Sequence, residues 1–247
     1  MFGFGPHRAA VRNRPVALRD PEPSLSDLLV PSAAVRAVYD SSNAGSVTRP
    51  DGGAPTLWSD KVGVLANLKG GGFDLAAPSS SQAPQWRSGA FLFDGVDDLL
   101  STELPSGTNV ANLALLAIYK GTDEKGILFA GSLAGHFLGT YDSSAPGSST
   151  YSYCGTPTIY VDGTAVADSR AALTAALSTG TARRIEVRHA DLTAWGRFGF
   201  GNSAISGWKV AGTLIPLAIL DENHPDFAEA LDNARAYADA QIARLAL

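Results

Sequence analysis

Hydrophobic and polar positions alternate with a short period along most of this chain, and the pattern turns helical only near its C-terminal end. The stretch Phe91-Leu92-Phe93-Asp94-Gly95-Val96-Asp97-Asp98-Leu99-Leu100 sets two short apolar runs on either side of a polar corner. Glycine tolerates positive φ and aspartate can bond its own backbone two residues on, so the stretch predicts strand, turn and strand, paired as a β-hairpin. Residues 113–119 form a continuous apolar run between Asn112 and Gly121, which suits a strand covered on both faces.

Two more hairpins are predicted, one joining residues 127–132 to 136–141 and one turning at Asp162-Gly163 between 158–161 and 164–166. In residues 184–189 strict alternation places Ile185, Val187 and His189 on one face and Arg184, Glu186 and Arg188 on the other, predicting a strand with one wet side. His189 then reads as a core or groove residue. Residues 208–220 are long enough to cross a whole sheet. From Pro225 to the end, Phe227, Leu231, Ala234, Ala238, Ile242 and Leu245 recur every three or four residues, predicting an amphipathic helix over 225–247 with Pro225 at its first position.

Composition agrees with many short strands. The 247 residues include 26 Gly and 14 Pro, are 45% hydrophobic and only 17% charged, and provide for one sizeable core. A net charge of −5 argues against a general nucleic-acid surface. The single Cys154 excludes an intramolecular disulfide framework and a cysteine-based zinc site. Residues 1–27 stand apart, with Arg8, Arg12, Arg14 and Arg19 set among four prolines; they read either as a plain tail or as an arm that orders on docking to a partner. No apolar run follows the basic residues at the start and none reaches the roughly 20 residues of a membrane span. The expectation is synthesis in the cytoplasm without a signal peptide.

The order of motifs resembles the concanavalin A-like, laminin-G-type jelly roll. Residues 92–100 look like that family's FDGVDDYL segment, and Trp58-Ser59-Asp60 like its W-x-D turn. Residues 159–163 and 198–201 look like its yvdG hairpin and lgiG strand, and residues 208–220 like the strand that closes the sandwich. The resemblance covers about residues 30–247 and implies an all-β fold: a two-sheet antiparallel jelly-roll sandwich over residues 28–247, with the arm in front and the helix behind. Single-domain versions with an arm and no signal peptide resemble accessory proteins of tailed phages and gene transfer agents. By that analogy the sandwich binds cell-surface or capsular polysaccharide on a released particle, and the arm docks to capsid or spike proteins.

The chemistry of individual residues narrows the alternatives. Sandwich glycanases of this class carry Glu-x-Asp-x-Glu, three acids on one strand face; no such run is present, and Glu186 and Asp191 have opposite parity unless a bulge intervenes. No Gly-x-Ser-x-Gly elbow surrounds a serine, so a non-catalytic protein is expected. Gly70-Gly71-Gly72 lacks the Lys-Ser or Lys-Thr of a phosphate loop and reads as a turn. No cofactor is expected except calcium, for which Asp94 and Asp97, with Asp98, would supply carboxylates. Glycan binding needs flat apolar faces beside hydroxyls, amides and acids. The insert after Thr140 offers Tyr141, Asp142, Tyr151 and Tyr153 among serines, and Trp195 and Arg197 share a face opposite Phe198 and Phe200, which places them on the concave or solvent side. Trp58 and Trp86 are assigned to the core side. A structural decoration module and a glycan-cleaving enzyme remain the alternatives.

Overall fold

The computed structural model describes residues 24–55, 60–87, 89–104, 109–122, 126–132, 137–140, 154–167, 169–201 and 210–245. A short helix α1 (Leu25–Leu29) leads into β1 (Val35–Val38), β2 (Val47–Thr48), β3 (Val64–Leu65), β4 (Leu75–Ala76), β5 (Gln85–Arg87), β6 (Ala90–Asp94) and β7 (Leu99–Glu103). Then come β8 (Leu113–Lys120), β9 (Gly126–Ala130), β10 (Phe137–Thr140), β11 (Thr158–Val161), β12 (Thr164–Val166) and α2 (Arg170–Leu177). The chain closes with β13 (Arg183–Ala190), β14 (Arg197–Gly201), β15 (Ala211–Asp221) and α3 (Phe227–Leu245). These strands make two antiparallel sheets packed as a jelly-roll-like sandwich. The first runs β12-β11-β13-β8-β15-β6-β5 with β1 also on β15, and the second runs β10-β9-β14-β7-β4-β3-β2.

Two cores sit on either side of the first sheet. Between the sheets, Phe91 and Phe93 of β6 and Leu115 and Tyr119 of β8 meet Phe129, Phe198 and Phe200 of the second sheet. Phe129 and Phe198 lie stacked with centroids 6.0 Å apart, and Phe200 is 5.2 Å from each of them. On the other face, Ala114, Leu116 and Ile118 of β8 pack with Leu25 and Leu29 of α1 and with Leu231, Ala234 and Ala238 of α3. Alternate residues of β8 therefore enter different cores, which is why this run has no polar position before Lys120 and is covered on both faces as its pattern predicts.

Charge holds α3 in place. Along β13, Arg184, Glu186 and Arg188 face the helix rather than water, which corrects the wet side expected there. Arg235 donates to Glu186 through Nη2 (2.8 Å to Oε1) and Nε (2.9 Å to Oε2), Arg184 pairs with Asp239, and Arg188 lies over the Phe227 ring at 4.6 Å. Two strand residues rise about 6.6 Å and four helix residues about 6 Å, so positions 184 and 186 match 239 and 235 in step. Arg188 Nε donates 2.7 Å to Glu222, which also receives the His189 backbone N–H at 2.8 Å. The register slips between Val187 and Ala190, with His189 at φ +58°, so the imidazole leaves the core face and pairs in the open with Glu222 at 2.6 Å.

Other departures are local. Residues 91–100 do not form a hairpin: β6 pairs β15 and β5 in one sheet while β7 pairs β14 and β4 in the other, so the corner carries the chain across the sandwich. The arm boundary at residue 27 falls inside α1, whose Ser24 caps it in a reciprocal bond with Asp27 and whose Leu25 is buried. The C-terminal helix starts at Phe227, two residues after Pro225, because residues 223–226 are spent on a turn leaving β15. Helix α2 was not foreseen; the readable signal is Ser169 before an alanine-rich run, its Oγ accepting the Ala172 N–H at 3.2 Å. Both remaining hairpins form, β9 with β10 and β11 with β12, the latter turning at Asp162 (φ +50°) and Gly163 (φ +81°).

Glu186 is 1% exposed, so removing its main partner strands a buried carboxylate. The substitution Arg235→Ala should cost about 3–5 kcal/mol in chemical denaturation, whereas replacing both partners together, Glu186→Leu with Arg235→Leu, should recover most of that loss. Equal losses in the two variants would show that the pair is not what anchors α3.

Candidate functional site

The corner between β6 and β7 brings the three acids of the opening stretch together. One carboxylate oxygen from each of Asp94, Asp97 and Asp98 lies within 4.8 Å of the others, although successive strand positions would have sent Asp97 and Asp98 apart. The corner is not strand, which is the reason. Two of the carboxylate oxygens already serve the turn: Asp94 Oδ1 accepts the Val96 N–H at 2.8 Å, and Asp98 Oδ2 accepts the Asp94 N–H at 2.8 Å. Lys61 Nζ stands 3.5 Å from Asp98 Oδ1 and balances its charge. Three carboxylates make one side of a calcium shell that takes six to eight oxygens, and Lys61 competes for the most buried of them. Burial pushes the Asp98 carboxyl above the usual carboxylate range, against the pull of the Asp94 N–H and Lys61.

Trp195 and Arg197 part company. Trp195 is fully buried beside Phe198, with ring centroids 6.5 Å apart, which corrects its expected place on the solvent side. Gly196 at φ +57° breaks the alternation just before β14, so parity counted back from Phe198 does not reach Trp195. Arg197 keeps the expected orientation. It lies on the outer face of the second sheet, in register with Glu103 of β7, and its Nη2 donates 3.2 Å to the Gly131 carbonyl. Its Nε is buried and has no hydrogen-bond partner among the described residues.

Around Arg197 the outer sheet face forms an open polar depression of about 370 Å³, lined by Asp74, Ser101, Thr102, Glu103 and Pro78. Gly199 lies in register with Ser101, and a Cβ there would come within 2.6 Å of the Leu100 carbonyl, so β14 and β7 approach closely at this point. The sequence singles out Arg197 as a candidate from its parity alone. It does not single out Asp74, Ser101 and Glu103, because β7 reaches β14, and β4 reaches β7, only through long-range pairing. Trp86 is half-buried against the inter-sheet core and its indole N–H donates 2.9 Å to the Ser41 carbonyl, as a core-side residue.

The remaining glycan candidates, Tyr141, Asp142, Tyr151 and Tyr153, lie outside the described residues, as do Trp58 and His136. The described chain ends before them at Thr140, which pairs with Gly126 at the loop end where β8 passes to β9, and resumes at buried Cys154, whose carbonyl accepts the Asp191 N–H at 2.9 Å.

A raised Asp98 means the folded state holds this proton to higher pH than the unfolded chain does. Its contribution to stability is therefore greatest in acid and declines as pH rises above the ordinary value of about 3.9. The substitution Asp98→Asn, which keeps an acceptor for the Asp94 N–H without charge, should gain stability relative to the parent as pH rises above about 4, the ordinary carboxylate value. By contrast Asp98→Ala, which orphans that N–H, should lose about 1–3 kcal/mol. Thermal unfolding across this range checks both, and a constant difference between parent and Asn variant would refute the assignment. Comparison with family models, with curated proteins and with solved structures finds no match for this chain.

Proposed function

We propose that this protein is a non-catalytic carbohydrate-binding attachment component of a phage-like or gene-transfer-agent particle, and that its ligand is surface or capsular polysaccharide. The observation that carries the reading is the polar outer face of the second sheet. Helices α1 and α3 both pack against the first sheet, which leaves Arg197, Glu103, Asp74 and Ser101 facing out around one shallow depression on a rigid two-sheet frame. A half-buried arginine fixed by a backbone carbonyl suits, through its remaining guanidinium N–H groups, the hydroxyls and ring oxygens of a sugar, and the neighbouring acids suit sugar O–H donors.

The acids of β13 support a binding rather than a cleaving role. A bulge does fall between Glu186 and Asp191, yet Glu186 is committed to Arg235 and Arg188 beneath α3 and has no access to a substrate. The resemblance of residues 92–100 and 159–163 to laminin-G-type modules supports the polysaccharide class, and the basic arm supports attachment to a particle.

A glycan array carrying capsular and cell-surface polysaccharides should return at least one ligand for the full chain, and Arg197→Ala should weaken it roughly 10–100-fold, as expected for loss of a charged hydrogen bond. No binding to any glycan would overturn the reading. Deleting residues 1–23, which leaves the Ser24 cap intact, should abolish incorporation into particles while leaving thermal stability and glycan binding unchanged; unaltered incorporation would refute the arm's role.

A further inference from the structure

The depression around Arg197 continues past β4. A second open depression of about 340 Å³ lies beside it, lined by Thr48, Arg49, Pro50, Gly63 and Ser80 among others. Ala76, Ala77 and Pro78 line both, so the two make one groove across the outer face of the second sheet.

Strand register explains why that face is hollow along this line. Gly199 of β14 stands opposite Ser101 of β7, Ser101 opposite Ala76 of β4, Ala76 opposite Val64 of β3 and Val64 opposite Thr48 of β2. Directly opposed residues share a face, and the chain neighbours Phe200, Leu100, Leu75, Leu65 and Val47 all enter the inter-sheet core, so these five positions face outward. No side chain among the five is larger than valine. Beyond the register the ladder goes on: the Gly63 N–H donates 2.7 Å to the Thr48 carbonyl and the Ala77 N–H donates 2.8 Å to the Gly63 carbonyl, which ties the second depression to the same rigid sheet.

The lining changes along the groove. At the β14 end it is charged, with Arg197 and Glu103; in the middle Ala76, Ala77 and Pro78 give an apolar floor; at the β2 end Thr48 and Ser80 bring hydroxyls beside Pro50. Arg49 is spent on Asp51, to which its Nε donates at 3.0 Å, so the β2 end offers no spare cation through that contact. A sugar ring presents apolar C–H faces and a rim of hydroxyls, and a floor of small apolar groups with polar groups beside it meets both. Five adjacent strands span about 19 Å between the first and the last, roughly the length of four sugar residues in an extended chain.

We infer that this groove binds the interior of a polysaccharide chain laid across the strands from β14 to β2, with about four residues in contact, rather than a chain end held at Arg197. The saccharide part rests on the carbohydrate-binding reading above; the length and direction rest on the groove.

Oligomers of two, four, six and eight residues, cut from the capsular and cell-surface polysaccharides of the array and titrated calorimetrically against the full chain, test it. Affinity should rise at least about tenfold from two residues to four and level off by six. Oligomers blocked at both ends should bind as tightly as unblocked ones. Ala76→Gln, which fills the shared floor, should weaken the four-residue oligomer about tenfold, and Ser80→Gln, on an exposed loop at the far end, should weaken it about threefold to tenfold. Each variant is checked for an unchanged thermal transition, and the Ser80 variant decides if the Ala76 variant unfolds. Thr164→Gln, on β12 of the other sheet, should have no effect. Equal affinity for two and eight residues, loss of binding when the ends are blocked, or a four-residue affinity untouched by Ser80→Gln overturns the groove while leaving the carbohydrate reading at Arg197 intact. No binding of any saccharide, as oligomer or on the array, removes both readings.

Discussion

The first sheet has to be covered on both faces, and the rest of the molecule follows from that. Its central strands β8 and β15 are apolar at almost every position, so neither face can be left in water. One face is closed by the second sheet, through the phenylalanine cluster of β9 and β14. The other is closed by α1 and α3, which are held by leucines and alanines at helical spacing. Helix α2 plugs the edge, with Leu173 and Leu177 entering the inter-sheet core beside β10 and β12.

Apolar burial fixes that α3 lies on the sheet, but not where along it. The row of charges on β13 supplies that register. Arginine and glutamate buried at strand spacing are expensive to leave unpaired, so the helix has few positions in which Arg235 reaches Glu186 while Asp239 reaches Arg184. The bulge at His189 extends the same row onto Glu222, at the turn that launches the helix. Arg184, Glu186 and Arg188 of β13 are thus structural.

The two sheets carry surface concavities of different kinds. The outer face of the second sheet is open and polar around Arg197, whereas the rim of the first sheet forms a larger cleft where the β11–β12 turn, the start of β13 and the end of α3 converge. Each is built on strands whose positions are set by the cores beneath. A site placed on such strands needs little ordering when a ligand arrives, which limits the entropy lost on binding.

Local pattern alone determined much of this. Period-two alternation, the Asp162-Gly163 turn, the doubly buried run of β8 and the C-terminal amphipathic helix were legible, because each depends on residues close in sequence. The order of strand motifs was enough to give a two-sheet sandwich. Partner choice was not legible. Residues 91–100 read as a hairpin whether their strands pair with each other or with two different sheets, since the turn chemistry of Asp94-Gly95 is the same in both. The face of β13 opposite its core looks solvated until α3, some fifty residues on, is laid across it, and Trp195 looks exposed until Gly196 reverses its parity. Around the outer depression, Arg197 was singled out from its own strand, but Glu103 and Asp74 were brought beside it only by pairing between distant strands, a non-local constraint that no short window of sequence contains.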